Sequence, residues 1–311
     1  MTEPIHVHAL SIFLGLTKVK GIGFKTMRDL GGPIGIAERL ETGHLFPLVS
    51  SLAGIEESAL RDFVRQEGRR LLRQLRLNRI AIVTRQDDLY PLPFRLLPEE
   101  SQPLWLFYRG NPELVQRPSI AVVGTRDPSK EGEFLTRYAA YAVKEFDLPL
   151  VSGLALGVDG LAHETALNAA ISNISILGTG ILRPYPARNG WLAEAIVDNG
   201  GLLISEYFPE ADPAAEQFVW RNRLQAALAA CVVATQWNKS SGTAHTIRFA
   251  KSFGRPSINL VPNGLLQPLD HGKADHLFEV PSQHARFMDC MHRSISNWPH
   301  GKLALQPSLF G

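Results

Sequence analysis

Between Ser119 and Asp159 the chain runs through one pattern twice, and that repeat restricts its fold more than anything else in the 311 residues. A short apolar run, Ser119-Ile120-Ala121-Val122-Val123, breaks at Gly124-Thr125-Arg126. A helical stretch follows. Then Leu150-Val151-Ser152 runs into Gly153-Leu154-Ala155-Leu156-Gly157-Val158-Asp159 and a second helix. Strand, glycine turn and helix in succession predict a parallel sheet with covering helices. Ligands of such sheets bind where the carboxyl ends of the strands open into a crevice. Both turns set backbone N–H groups, hydroxyls and one arginine at that edge, which is therefore expected to hold phosphate.

The rhythm continues downstream. Ile174 to Leu177 ends in Gly178-Thr179-Gly180, Arg188 to Asn199 reads as helix, and Leu202 to Ser205 ends in Glu206-Tyr207. Phe218 to Ala230 reads as helix, Cys231 to Thr235 as strand, and Ser241-Gly242-Thr243 opens a helix reaching about Gly254. Pro256 to Val261 is expected to close the sheet, and the residues after Ser282 carry no strand rhythm. Ile80 to Val83 is a further strand, followed by a proline-punctuated approach in which Trp105, Phe107 and Tyr108 pack on the sheet edge.

Residues 1–79 lack strand signals and form a small all-α domain. Within it Val19-Lys20-Gly21-Ile22-Gly23-Phe24-Lys25 joins two helices and resembles the helix-hairpin-helix turn of SAM-like DNA-binding domains, where glycines let amides approach a phosphate. A helical bundle whose turn merely needs glycine is the other reading. Arg61, Arg65 and Arg69 lie one helical step apart, with Arg70, Arg73, Arg76 and Arg79 beyond. That stripe reads equally as a phosphate track and as a solvated face.

A net charge of +2 neither demands nor excludes nucleic acid, and two cysteines build no disulfide framework. No apolar segment reaches a membrane-span length and no signal pattern opens the chain, so the expected location is cytoplasmic. The ten histidines lack ligand spacing, although His6/His8 and His271/His276 come nearest, so neither metal nor cofactor is expected. Asp159 and His163 lie four apart on one helix; they are expected to share a local hydrogen bond rather than to work as acid and base.

Gly124-Thr125-Arg126, Ser152 to Asp159, Ala162-His163, Gly178-Thr179-Gly180, Tyr185-Pro186, Ser205-Glu206-Tyr207, Arg221-Asn222-Arg223 and Ser241-Gly242-Thr243 occur in order. In that order and spacing the chain resembles the DNA-processing protein A (DprA/Smf) family. The resemblance implies an extended Rossmann-like domain over residues 80–282 behind the helical one. It also implies a homodimer without catalytic residues that binds and protects single-stranded DNA and loads the RecA recombinase onto it. The resemblance carries DNA contact to Arg126; the candidate nucleic-acid contacts at the rim are, with it, Gly124, Thr125, Ser152, Gly153, Leu154, Gly157, Gly178, Thr179, Gly180, Arg221, Asn222, Arg223, Ser241, Gly242 and Thr243.

Where many family members carry a cation in the second glycine turn, this chain has Leu156; Gln236 replaces an acidic residue, and Trp220 a small one. Trp220 and Trp237 stand near the rim, either as base-stacking surfaces or as buried packing. The winged-helix domain common at the family's C-terminus does not fit within residues 283–311. There, Gln306-Pro307-Ser308-Leu309-Phe310 is similar to the peptide by which many bacterial proteins dock on the replicative sliding clamp: Gln306, Ser308, Leu309 and Phe310 would make the contact. Two other functions compete. A nucleotide phosphoribohydrolase would need a glutamate that does not follow Gly242-Thr243 at the required spacing. A nucleotide-sensing module, for instance in antiphage defence, would use the same pocket.

Overall fold

The computed structural model describes residues 3–264 and 274–299. The all-helical segment comprises α1 (Glu3–Leu16), α2 (Phe24–Asp29), α3 (Gly32–Glu41), α4 (Leu45–Ala53) and α5 (Glu57–Leu77). Helix α5 starts where the Glu56 carboxylate accepts the amides of Ser58 (2.9 Å) and Ala59 (3.0 Å), satisfying two N-terminal donors. Its buried side is Leu60, Val64, Gly68, Leu71 and Leu75, a helical spacing. Gly68 and Gly15 let α5 and α1 cross at backbone contact: a Cβ would stand 2.0 Å from Ser11 O at the first and 2.0 Å from Val64 O at the second. On the outer side Arg61 pairs with Glu57, and Arg70 with Glu67 and Glu210, while Arg65, Arg69, Arg73 and Arg76 face solvent.

The sheet is built from β1 (Ile80–Thr84), β2 (Trp105–Gly110), β3 (Ile120–Val123), β4 (Leu150–Ser152), β5 (Asn173–Ile176), β6 (Leu202–Ser205), β7 (Cys231–Ala234), β8 (Ser257–Pro262) and β9 (His276–Val280). Their order is β1-β2-β6-β5-β4-β3-β7-β8-β9. The first two strands are antiparallel additions; from β6 to β9 all pairings are parallel. The covering helices are α6 (Leu92–Arg95), α7 (Lys130–Lys144), α8 (Val158–Asn168), α9 (Gly190–Asp198), α10 (Ala215–Leu228), α11 (Gly242–Ser252) and α12 (His284–Ser296).

Alternation along β3 shows why both faces need cover. Ile120 and Val122 join the core beneath α7, α8 and α12, while Ala121 and Val123 join the core beneath α10 and α11. The helical segment shares a third core with the sheet, in which Phe13 and Phe24 meet Trp105 edge-on at 5.2 and 5.3 Å. Trp105 and Phe107 thus pack inside that joint.

One expectation fails at the far edge. The sheet does not close with Pro256 to Val261: β9 pairs in parallel beyond β8, from Ile258↔His276 to Pro262↔Val280. Its His276 and Glu279 interrupt what is a continuous apolar run in the inner strands, because it borders one strand rather than two. The stretch after Ser282 then forms α12, whose buried Phe287, Cys290, Met291 and Ser294 keep helical spacing under a polar cover. The sliding-clamp peptide, Gln306 to Phe310, lies outside the described residues, as does His271.

Candidate functional site

Chain direction reverses across the sheet at β3. From β3 the chain steps through β4 and β5 to β6, then returns to β7 on β3's other side and steps on to β8. Connections that leave in opposite directions open a crevice at the strand ends. Here that crevice is a cleft of about 660 Å³ whose lining includes Gly124, Thr125, Arg126, Asp159, Phe218, Arg221, Asn222, Gln225, Ser241, Gly242 and Thr243.

The β3 turn is held from both sides. The Thr125 amide donates to Gln236 O (2.7 Å) in the β7 turn, and its carbonyl accepts the Val158 amide (3.0 Å) at the start of α8. Gly157 sits at φ 72°, and a Cβ there would lie 2.5 Å from the Thr125 and Arg126 backbones, so only glycine lets the two turns touch. Gln236, the residue that replaces an acid, takes a structural part: its Oε1 accepts the Ser129 amide (2.9 Å) ahead of α7. Arg126 then projects into solvent with its guanidinium 5.7 Å from the Phe218 ring centroid, and it makes no ion pair among the described residues.

Opposite stands one face of α10. Phe218, Arg221, Asn222 and Gln225 recur at helical spacing and turn toward the cleft. Arg221 is only 3% exposed, and its Nη1 donates to Gly153 O (2.8 Å) and to Ile176 O. Gly153 is the seat for that guanidinium, since a Cβ would fall 1.9 Å from Nη1. Burial lowers the Arg221 pKa and raises that of Asp159, and their opposite charges partly offset both shifts. Arg221 Nε and Gln225 Nε2 are buried without partners, and both residues line the cleft.

The third wall is the start of α11. Ser241 turns its hydroxyl to Asn238 O (2.7 Å) instead of capping, so the first-turn amides at Gly242 and Thr243 keep their positive end open to the cleft. Asn222 Nδ2 pins that turn through Gly242 O (3.1 Å).

Several residues expected at the rim lie behind it. Ser152 is buried and donates to Val122 O (2.7 Å); Leu154 belongs to the core. Thr179 donates to Arg183 O (2.8 Å). Gly178 and Gly180 make room for Phe218 and for Pro209 O, at 2.5 and 2.3 Å from a built Cβ. Arg223 is fully buried and doubly paired with Glu206, donates to Ser101 O (3.0 Å), and stacks 4.1 Å over Trp220. Trp237 Nε1 donates to Asn259 Oδ1 (2.9 Å). Neither tryptophan lines the cleft. Asp159 and His163 do not bond to each other: His163 Nδ1 meets Asn173 Oδ1 at 2.7 Å, and burial pushes its imidazole down to about 4. Phe218, Tyr185 and Gln225 were not among the expected contacts, although the spacing of Phe218 and Gln225 with Arg221 and Asn222 marks them as one helix face. Among the described residues no group of three histidine, cysteine or carboxylate side chains could hold a metal ion, and no helix is long and apolar enough to cross a membrane.

Residues 81–293 match the family model for DNA recombination-mediator protein A. The chain is 36% identical over 193 residues to the DNA processing protein DprA of Streptococcus pneumoniae, an alignment covering 62% of this chain and 66% of that protein. The chain thus spans just under two thirds of that relative's length. The X-ray structure of the Streptococcus pneumoniae protein superposes with a TM-score of 0.61 at 27% identity, covering 81% of this chain and 86% of that one. DNA processing protein A from Helicobacter pylori, described for its single-stranded DNA binding mode, superposes with a TM-score of 0.58 at 25% identity over 69% and 96% of the two chains.

Proposed function

Since the chain belongs to the DNA recombination-mediator protein A family, we propose that its strand-end cleft binds the phosphates of single-stranded DNA and breaks no bond. The observation that carries this reading is the pair of open donors converging on one cavity: the exposed Arg126 guanidinium and the uncapped first-turn amides of α11. A phosphodiester offers acceptors on every side and carries the charge that Arg126 and a helix N-terminus favour. The Helicobacter pylori relative's single-stranded DNA binding supports the same ligand. Bond breaking has little support, because Asp159, the carboxylate in the cleft's lining, is buried, and among the described residues that lining holds no histidine or cysteine.

The test is binding to oligo-dT at several salt concentrations. Each neutralised phosphate of a single strand adds about 0.7 to the slope of log affinity on log salt. Arg126→Ala should weaken binding and remove about one such increment. Equal affinity of mutant and wild type at every salt would exclude the cleft. A larger thermal shift with AMP than with oligo-dT would favour the nucleotide-sensing alternative.

The finer roles rest on the family. A homodimer would present two clefts to one strand and hand it to RecA; the measurements are sedimentation and the rate of RecA assembly on protein-coated single strands. For the C-terminal peptide the reading is clamp docking through Gln306, Ser308, Leu309 and Phe310, tested by deleting Gln306 to Gly311 and titrating the clamp.

A further inference from the structure

Arg126 lines two cavities. Besides the cleft it borders a groove of about 570 Å³ between the second glycine turn and the start of α9, lined also by Asp127, Leu156, Glu164, Arg188 and Trp191. Trp191 is the largest side chain in that groove, and it is 58% exposed; Leu156 beside it is 37% exposed. A tryptophan is usually covered for most of its surface, so one left this open calls for an occupant.

The two apolar side chains are held together by a built joint. Asn189, buried just ahead of α9, donates through Nδ2 to Leu154 O (2.8 Å) and Ala155 O (3.1 Å). Those bonds clamp the start of α9 onto the turn that carries Leu156. The floor is low, because Gly157 and Gly160 both lie in the groove.

Charge selects the occupant. Arg126 and Arg188 are offset by Asp127 and Glu164, so this groove has no net attraction for phosphate, whereas the cleft does. A flat uncharged ring fits such a surface. We propose that Trp191, with Leu156, stacks an unpaired nucleobase of the strand whose phosphate lies at Arg126. The step deepens the reading of the cleft and rests on it. Trp220 lies beneath Arg223 and Trp237 is hydrogen-bonded to Asn259, whereas Trp191 is the exposed ring.

The experiment compares Trp191→Ala and Trp191→Phe with wild type and Arg126→Ala, using fluorescence anisotropy of oligo-dT and of the same oligomer made abasic. Stacking predicts that Trp191→Ala weakens oligo-dT binding by about 10-fold, within the range for one stacked base. The salt slope should stay at the wild-type value, Trp191→Phe should keep most of the affinity, and abasic binding should be unaltered. Emission from Trp191, one of five tryptophans, should be quenched by oligo-dT in wild type and absent from the difference spectrum of Trp191→Phe. Wild-type affinity in Trp191→Ala, an equal loss on abasic DNA, or a change in self-association without a change in DNA binding overturns the proposal. If Arg126→Ala weakens binding and Trp191→Ala does not, only the stacking surface is wrong; if neither does, the cleft reading fails with it.

Discussion

Gly124-Thr125-Arg126 and Arg221-Asn222-Arg223 contribute the same side chain to the same neighbourhood and use it in opposite ways. Arg126 ends a strand, stands in solvent and makes no ion pair among the described residues. Arg223, on α10, is sealed against Glu206, Ser101 and Trp220. Arg221 lies between these extremes: it is buried and seated on Gly153, yet its Nε has no partner and the residue lines the cleft. A buried guanidinium is costly unless it is paired and hydrogen-bonded, whereas an exposed one keeps its charge available for a ligand. The comparison divides framework from contact, and it can be broken by mutation.

The largest effect is expected at the sealed pair. Glu206→Gln or Arg223→Met strands its partner and should cost about 3–5 kcal/mol in urea unfolding. Replacing both by apolar residues should recover much of that loss. A single mutant with wild-type stability would contradict the framework role.

Next comes the imidazole packed behind the rim. His163 is held at about 4, below its ordinary 6.5, mainly by burial, so the unfolded chain binds a proton that the folded chain refuses. Stability is then fully present above about pH 6.5 and declines as pH falls toward about 4, by roughly 3 kcal/mol at most. His163→Asn should flatten that part of the pH–stability curve. An unchanged slope would mean that His163 is protonated in the folded state.

Gly153→Ala tests the intermediate arginine. A methyl group there collides with the Arg221 guanidinium, so an overpacking cost of about 1–3 kcal/mol is expected, together with weaker oligo-dT binding. Losing stability while binding is retained would separate Arg221 from the ligand.

The smallest effect on folding belongs to Arg126→Ala, for which the unfolding midpoint should move by no more than about 0.5 kcal/mol in stability, as for other surface changes. Oligo-dT affinity should nevertheless fall about 10-fold, a charged hydrogen bond's worth. If stability drops instead, Arg126 belongs with Arg223.

Much of the fold could be read from the residues. The inner strands announce themselves because they are buried on both faces, and their apolar runs end in glycine turns that have to meet. Edge strand β9 and helix α12 were missed because each buries only one side and interleaves it with polar residues. The candidate site was legible in outline: Gly124, Thr125, Arg126, Arg221, Asn222, Ser241, Gly242 and Thr243 do converge on one cleft. What eluded sequence reading was depth, since Ser152, Thr179 and Arg223 carry the chemistry of a rim and lie behind it.

Local sequence determined that β3 and β4 would be strands ending in glycine turns, since φ/ψ preference and apolar periodicity act over a few residues. Which arginine faces solvent and which tryptophan is open depended on groups far along the chain: Glu206 and Ser101 for Arg223, Asn259 for Trp237, and for Trp191 the Leu154 and Ala155 carbonyls that hold its neighbour Asn189. Burial is set by what packs on a side chain from every side. Only the tertiary structure brings those neighbours together.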